Sequence, residues 1–257
     1  MRTIVVGAKE AGAEAVMVGT SESEANFIGL NVAVAMVTAV RVELGFPVYL
    51  NADHFKTFEK CKEAIDAGYD SVIIDASGLV LAENIELTKR VADYAKSVNM
   101  GVTVEGEIGY LKGTSQIQEL VEISPADYTK PEEAEEYVKK TGVDRLAIVF
   151  GNIHGIVTKQ KEKLDIEHLS KIITLVPNMF YVLHGASGLS DEDVSAAIRG
   201  GISNVHYNTE LRVAYKEGLD RAIHARPEES APYQYLKPAD EEVKKIVMAK
   251  TKLFLGR

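Results

Sequence analysis

The sequence is poor in several things that would assign it a role. It has one cysteine, Cys61, among 257 residues. A disulfide within the chain is therefore excluded, and a reducing, cytoplasmic setting is expected. Basic residues number 29 against 38 acidic ones, for a net charge of -9. No run of Lys and Arg forms the basic stripe that a duplex-binding surface needs, so no nucleic-acid partner is expected. No apolar stretch approaches the roughly 18 residues of a membrane span, so no membrane partner is expected either. The opening "MRTIVVGAKEAGAEA" lacks a clean apolar h-region and cleavage site.

What is present is a steady alternation. Hydrophobic residues make up 46% of the chain, enough for one large core, and the expectation is a single domain over residues 1–257. Short apolar runs at residues 14–20, 47–53, 71–75, 101–108, 145–151, 179–185 and 202–208 read as strands. They are continuously apolar, as strands buried on both faces of a parallel sheet should be. Helical patterns lie between them. Thr129 to Glu132 reads as a capping box opening "PEEAEEYVKKTG", with Gly142 past its end. Ser190 reads as the cap of "DEDVSAAIRGG", whose first turn carries three carboxylates. Repeated β-then-α means a doubly wound sheet or a (β/α)8 TIM barrel, and seven units over this length favour the barrel. The first strand is the exception. Residues 3–7 lie too close to residue 14 for a crossover helix, so residues 2–12 read as the first helix, with strand one missing.

In a barrel the C-terminal strand ends share one mouth, and chemistry collects there. Those ends are unusually polar. They carry Asp53-His54, Asp75, Glu105 and Glu107, His154, His184, and His206 with Asn208 and Thr209. His168 and His224 fall in helical patterns and read as surface or satisfied core residues. His54, His154 and His184 at three separate strand ends give the ligand count of a catalytic zinc site with one position open. Asp75 and Glu107 could orient those rings or hold a second cation. Gly155, Gly185, Ser187, Asn208 and Thr209 could cradle a phosphate with backbone amides and hydroxyls. Asp53, beside a candidate ligand, reads as a proton carrier, or else as the cap of the helix that follows. No His-x-His occurs, which argues against a metal-dependent hydrolase. None of these predicted strand ends carries the desolvated lysine of a Schiff-base enzyme.

These residues together resemble the class II, metal-dependent fructose-bisphosphate aldolases and related ketose-bisphosphate aldolases. The resemblance runs through "NADH…EAIDAGYDSVIIDAS", "VEGEIGY", "TKPEEAEEYVKKTGVDRLAIVFGNIHG", "KEKLDIEHL" and "LHGASGLSDEDVSAAIRGGISNVHYNTELR". It implies a TIM barrel, assembled as a homodimer or homotetramer, that reversibly cleaves a ketose bisphosphate into dihydroxyacetone phosphate and an aldehyde. Fructose 1,6-bisphosphate is the implied substrate; the alternatives are tagatose 1,6-bisphosphate or a non-catalytic sugar-phosphate-binding relative. It further implies Zn2+ on His54, His154 and His184, with Asp75 and Glu107 near the metal, stabilising the enediolate left when the bond breaks. Asp53 matches the proton-transferring aspartate and Ser21 a substrate-contacting serine. Gly155, Gly185, Ser187, Asn208 and Thr209 match the phosphate region, where a monovalent cation also binds. Two departures stand out. His206 occupies a position where the family usually has Asn, and the loop after "VEGEIGY" lacks the usual acidic stretch, leaving Glu119 as the acidic candidate.

Overall fold

Seven strands run parallel in one curled sheet, in a computed structural model describing residues 1–257. The strands are β1 (Val16–Ser21), β2 (Val48–Phe55), β3 (Ser71–Ile74), β4 (Thr103–Ile108), β5 (Gly113–Gln118), β6 (Arg145–Ile148), β7 (His154–Val157), β8 (Phe180–Leu183) and β9 (Ile202–Val205). The sheet order is β1-β2-β3-β4-β6-β8-β9, and β5 pairs with β7 in a separate two-stranded sheet. The helices are α1 (Arg2–Glu10), α2 (Glu22–Ile28), α3 (Leu30–Leu44), α4 (Phe58–Ala67), α5 (Leu81–Val98), α6 (Pro131–Thr141), α7 (Ile166–Leu175), α8 (Asp191–Gly200), α9 (Thr209–Ala225), α10 (Pro232–Tyr235) and α11 (Lys237–Phe254). This is the expected barrel, with its wall open between β1 and β9. The first element is a helix, as the short gap after residue 7 requires.

The core lies between sheet and helices, in one cluster of 41 buried residues including Leu50, Ile74, Leu146, Leu169 and Leu183. Strands β3 and β6 are buried at every position, which explains why they are apolar beyond their first residues, Ser71 and Arg145. The helix signals mostly hold. Ser190 Oγ accepts from Asp193 N at 3.1 Å, and Gly142 closes α6 in the left-handed region at φ 66°. The capping box at Thr129 does not form. Lys130 takes the cap position of α6, Pro131 its first turn, and Thr129 is spent elsewhere. Its buried hydroxyl donates to Ile108 O at 2.6 Å and accepts from Val149 N at 2.8 Å, tying β4 to the chain just past β6.

No single helix is long and apolar enough to cross a membrane. Several strand ends differ from expectation. The run 145–151 stops as a strand at Ile148, because Gly151 turns at φ 114° with Lys163 O only 2.4 Å from where a Cβ would sit. The run 202–208 stops at Val205, and the β5–β7 pair was not anticipated.

Candidate metal and carboxylate site

The mouth is built first by a distortion of β2. In a regular strand Asp53 and His54 would point to opposite faces. Here the register of β2 on β3 slips between Ala52 and Phe55, and His54 adopts φ 53°, an uncommon left-handed conformation for a residue with a side chain. The bulge brings both side chains into the same half-buried mouth. Asp53 is not a helix cap, since Thr57 caps α4 by accepting from Lys60 N.

Strand β4 contributes by plain alternation. Glu105 and Glu107 lie two residues apart on one face at successive levels, both buried. Between them Gly106 is obligatory, because a Cβ would sit 2.3 Å from the hydroxyl of Tyr137 on α6. Asn84 on α5 donates to Glu107 O at 2.9 Å and locks that turn of the strand.

The histidines converge. The ring of His54 lies 5.0 Å from that of His154 and 4.6 Å from that of His184, centre to centre. Imidazoles bound to one tetrahedral zinc through nitrogens about 2.0–2.1 Å away have centres about 5 Å apart, which these ring centres match, although the clustered ligand atoms group His54 with Asp75 and Glu107 and leave His154 outside. His54 Nδ1 faces Asp75 Oδ2 at 3.3 Å and Glu107 Oε2 at 3.2 Å. Asp53, His184 and His206 offer a second group of clustered ligand atoms. His206 Nδ1 lies 3.3 Å from Asp53 Oδ1, and its ring lies 4.2 Å from that of His184. His184 Nε2 meets Glu105 Oε1 at 2.7 Å, while Glu105 Oε2 is 3.1 Å from Arg145 Nε.

The donors remain underused. Asp53 Oδ1, His54 Nδ1, Glu105 Oε2 and Glu107 Oε2 are buried atoms with no aligned hydrogen-bond partner. Each lies 3.1–3.3 Å from a charged or ionisable neighbour without hydrogen-bond alignment, a loose set of donors that a cation would draw together. The donor set is nitrogen and carboxylate oxygen, as a divalent metal requires.

Electrostatics separates the groups. Burial disfavours the charged form of His54, but Glu107 and Asp75 outweigh it and raise its pKa well above the usual value. His154 goes the other way, lowered to about 3 by burial and by the neighbouring rings of His54 and His184. Burial pushes Asp53 up, yet His206, His54 and His184 hold its carboxyl below the ordinary range. Asp75 is likewise held low by His54, Lys56 and Ser77 against burial.

Other predicted residues occupy the rim. Ser21 pairs in register with Asp53 and caps α2 in a capping box with Glu24. Ser187 accepts from Glu210 N at 3.4 Å, bringing the β8 turn against the start of α9, where Asn208 is the cap position and Thr209 is buried. Gly155 and Gly185 have a packing reason for lacking side chains. A Cβ on Gly155 would lie 2.2 Å from Thr114 O, and one on Gly185 2.0 Å from Ile153 O. His154 opens β7, six residues past the end of β6, instead of following that strand directly. Glu119 is not brought into the mouth; it is 75% exposed and pairs with Lys159. His168 packs with Nε2 2.7 Å from Thr129 O, and His224 is exposed, as expected for both.

Sequence reading missed three residues. Asn152 is fully buried and donates to both Ile148 O and His184 O, fixing the loop between His154 and the end of β8. Lys56 follows directly on β2, whose bulge extends it past the predicted end. It is mostly exposed and pairs with Asp75, which raises its pKa against partial burial, so it stays charged and unsuited to a Schiff base. Glu162 is buried beneath the Gly188 turn with neither oxygen hydrogen-bonded, and burial pushes its carboxyl up to about 8. The "KEKLD" run gave no hint of burial.

Comparison with known proteins agrees with this architecture. The family model for fructose-bisphosphate aldolase class-II matches residues 1–256. The chain belongs to that family. It is 37% identical over 242 residues to the fructose-bisphosphate aldolase of Staphylococcus aureus, covering 93% of this chain and 82% of that protein. It is 34% identical over 255 residues to that of Geobacillus stearothermophilus, covering 97% and 86%. Among solved structures, the YdjI aldolase from Escherichia coli superposes with a TM-score of 0.79 at 28% identity, covering 98% of this chain and 86% of that one. The fructose-bisphosphate aldolase of Campylobacter jejuni superposes equally well, at 19% identity. The class II family is divalent-metal dependent, in line with the donor set described above.

Proposed function

We propose that this protein, as one (β/α) barrel domain, is a zinc-dependent aldolase. It would cleave a ketose bisphosphate, fructose 1,6-bisphosphate first, reversibly into dihydroxyacetone phosphate and glyceraldehyde 3-phosphate. The observation that carries this reading is the convergence of the His54, His154 and His184 rings beside an ionised Asp53. When bound, the metal polarises the carbonyl of the ketose and stabilises the negative charge left on the dihydroxyacetone half. His54, His154 and His184 would hold it, with Asp75 and Glu107 fixing His54 from behind.

Asp53 does the proton work. Kept as a carboxylate, it accepts the proton of the hydroxyl on the far side of the breaking bond and passes it to water. That water in turn protonates the dihydroxyacetone carbon, and the same transfers run in reverse in the condensation direction. His206, 3.3 Å away, orients that carboxylate and contacts substrate where an amide would otherwise stand. Ser21, beside Asp53 in register, is a second substrate contact. The N-terminus of α9, with Asn208 and Thr209, and the turn through Gly185 and Ser187 receive a phosphate, as helix N-termini and successive backbone N–H groups do. Gly155 and a monovalent cation belong to the same end of the mouth.

We assign the protein to the cytoplasm and to a homodimer or homotetramer, with no nucleic-acid or membrane partner. An apolar stripe on α2 and α3, where Phe27 is 92% and Val42 80% exposed, supports self-association. A second reading, a non-catalytic sugar-phosphate binder, draws on Glu119, which leaves the site without a loop carboxylate. Steady-state cleavage of fructose 1,6-bisphosphate and tagatose 1,6-bisphosphate, before and after exhaustive chelation, separates the readings. Cleavage lost on chelation and restored by zinc is expected. Cleavage indifferent to chelation ends the metal proposal, and no cleavage of either sugar favours the binder.

A further inference from the structure

We propose that Arg145 is a positioning residue for the metal: acting through Glu105, it fixes the ring of His184 so that Nδ1 faces the ion. The inference rests on the metal reading given above, and it adds a residue that touches neither metal nor substrate. The interior of a (β/α)8 barrel is ordinarily filled by layers of branched apolar side chains. Here β6 opens with an arginine that is only 8% exposed, on a strand buried at every position. A guanidinium in such a place is costly unless its charge is matched and its N–H groups are taken up.

The fold meets both demands. Arg145 stands in register with Glu105 on β4, so the two side chains share one face of the sheet. One terminal nitrogen donates to Ser71 Oγ on β3, and the other lies 3.2 Å from Met17 Sδ on β1. Both strands lie beyond β4 in the sheet order, so the guanidinium crosses the concave inside of the sheet. Anchored on β1 and β3, it presents Nε to Glu105 Oε2 at 3.1 Å. The planar fork of arginine suits this task, since each nitrogen serves a different strand.

Glu105 divides its two oxygens. Oε2 faces Arg145, while Oε1 lies 2.7 Å from His184 Nε2, and both residues are shielded from solvent. A carboxylate offers only acceptors, so Nε2 of His184 carries the hydrogen and Nδ1 keeps its lone pair for a cation. A carboxylate held through one oxygen alone is free to turn, and the ring turns with it. Pinned at the second oxygen by Arg145, it holds the ring still. Stability alone is a poor reason for the pair, because apolar residues of the same volume commonly serve a core as well as a buried ion pair does. Apolar residues have no means of holding an imidazole.

The test is the zinc Kd of the full chain, measured by competition with a chromogenic chelator for Arg145→Met, Arg145→Lys, Glu105→Gln and the Arg145→Met/Glu105→Gln pair. Arg145→Met should weaken zinc about 10–100-fold, the usual cost of a lost partner behind a ligand. Arg145→Lys keeps the charge and should recover most of that loss. In the Glu105→Gln background Arg145→Met should add less than about twofold, since the two act on one path. At saturating cobalt(II), the visible spectrum of Arg145→Met should depart from wild type and match that of Glu105→Gln, which a general loosening of the core would not produce. An unchanged Kd in Arg145→Met, or the same loss with and without Glu105, overturns the inference. If Arg145→Met alone does not fold, the double variant removes both charges and decides: a Kd equal to that of Glu105→Gln supports the inference, and a further tenfold loss overturns it. A wild-type chain that binds no zinc overturns the metal reading and this inference with it, whereas a zinc-binding wild type with an unaffected Arg145→Met overturns this inference alone.

Discussion

His54 and His154 lie 5.0 Å apart and titrate in opposite directions. The difference lies in which side of the mouth each side chain comes from. The arc formed by β2, β3 and β4 supplies carboxylates, Asp53, Asp75, Glu105 and Glu107. The arc from β7 to β9 supplies imidazoles, His154, His184 and His206. His184 reaches Glu105 and His206 reaches Asp53 across the mouth, while His54, from the acidic arc itself, sits against two carboxylates. His154 has no carboxylate within ion-pairing distance. On the proposed metal-bound reading it needs to lose no proton, whereas His54 must first give one up.

Four experiments bear on that division of labour. The largest effect is expected from His154→Ala and His54→Ala. Both should abolish detectable cleavage and drop bound zinc well below one equivalent per chain, as read by metal analysis after gel filtration. Retained stoichiometric zinc in either would show that the two arcs do not share an ion. Asp53→Asn comes next. Cleavage should fall about 10²–10⁴-fold, the usual worth of a positioned acid–base group, while zinc stoichiometry stays at wild-type level. A parallel loss of zinc would make Asp53 a ligand.

Glu105→Gln is expected to be milder. It keeps the shape but weakens the hold on His184, so zinc affinity should fall about 10–100-fold, the typical cost of a lost partner behind a ligand. Cleavage should recover largely at saturating zinc. An unchanged Kd by competition with a chromogenic chelator would remove Glu105 from the account.

The smallest effect is on the metal-free protein's stability against pH, and here the two histidines have opposite signs. His154 has a folded value near 3, so between 3 and about 6.5 the unfolded chain binds more protons and stability climbs with pH. His54, with its raised folded value, contributes stability that is present below about 6.5 and lost as pH rises through that higher value. Metal-free His154→Gln should therefore gain Tm relative to the parent as pH falls from 6.5 towards 3. A constant Tm difference across that window would mean that His154 titrates normally.

Much of this was legible in the sequence for a physical reason. Continuous apolar runs declare strands buried on both faces, and polar residues at their ends declare a mouth, so β3, β4 and β8 and the residues Asp75, Glu107 and His184 could be placed from pattern alone. The helix at residues 2–10 was legible too, because residues 3–7 lie too close to residue 14 for a crossover between parallel strands. What pattern could not carry were local departures from regular geometry. The bulge at Asp53-His54 and the left-handed φ of His54 have no signature in "NADHF". The left-handed turn at Gly151 moved His154 from a strand end to a strand start. Thr129 looked like a helix cap because Ser/Thr-x-x-Glu spacing marks one, yet its hydroxyl found two buried backbone partners instead. Long-range partners such as Arg145 for Glu105, or Asn152 for His184 O, are 40 and 32 residues apart in the chain and have no local trace.

The most direct test of the account is X-ray absorption at the zinc edge of the reconstituted protein, alone and with His54→Ala, His154→Ala and His184→Ala. The account predicts three imidazole nitrogens in the first coordination sphere, one fewer or no bound zinc in each variant. A sphere made of oxygens alone, or one unchanged by removing any of the three histidines, would contradict it.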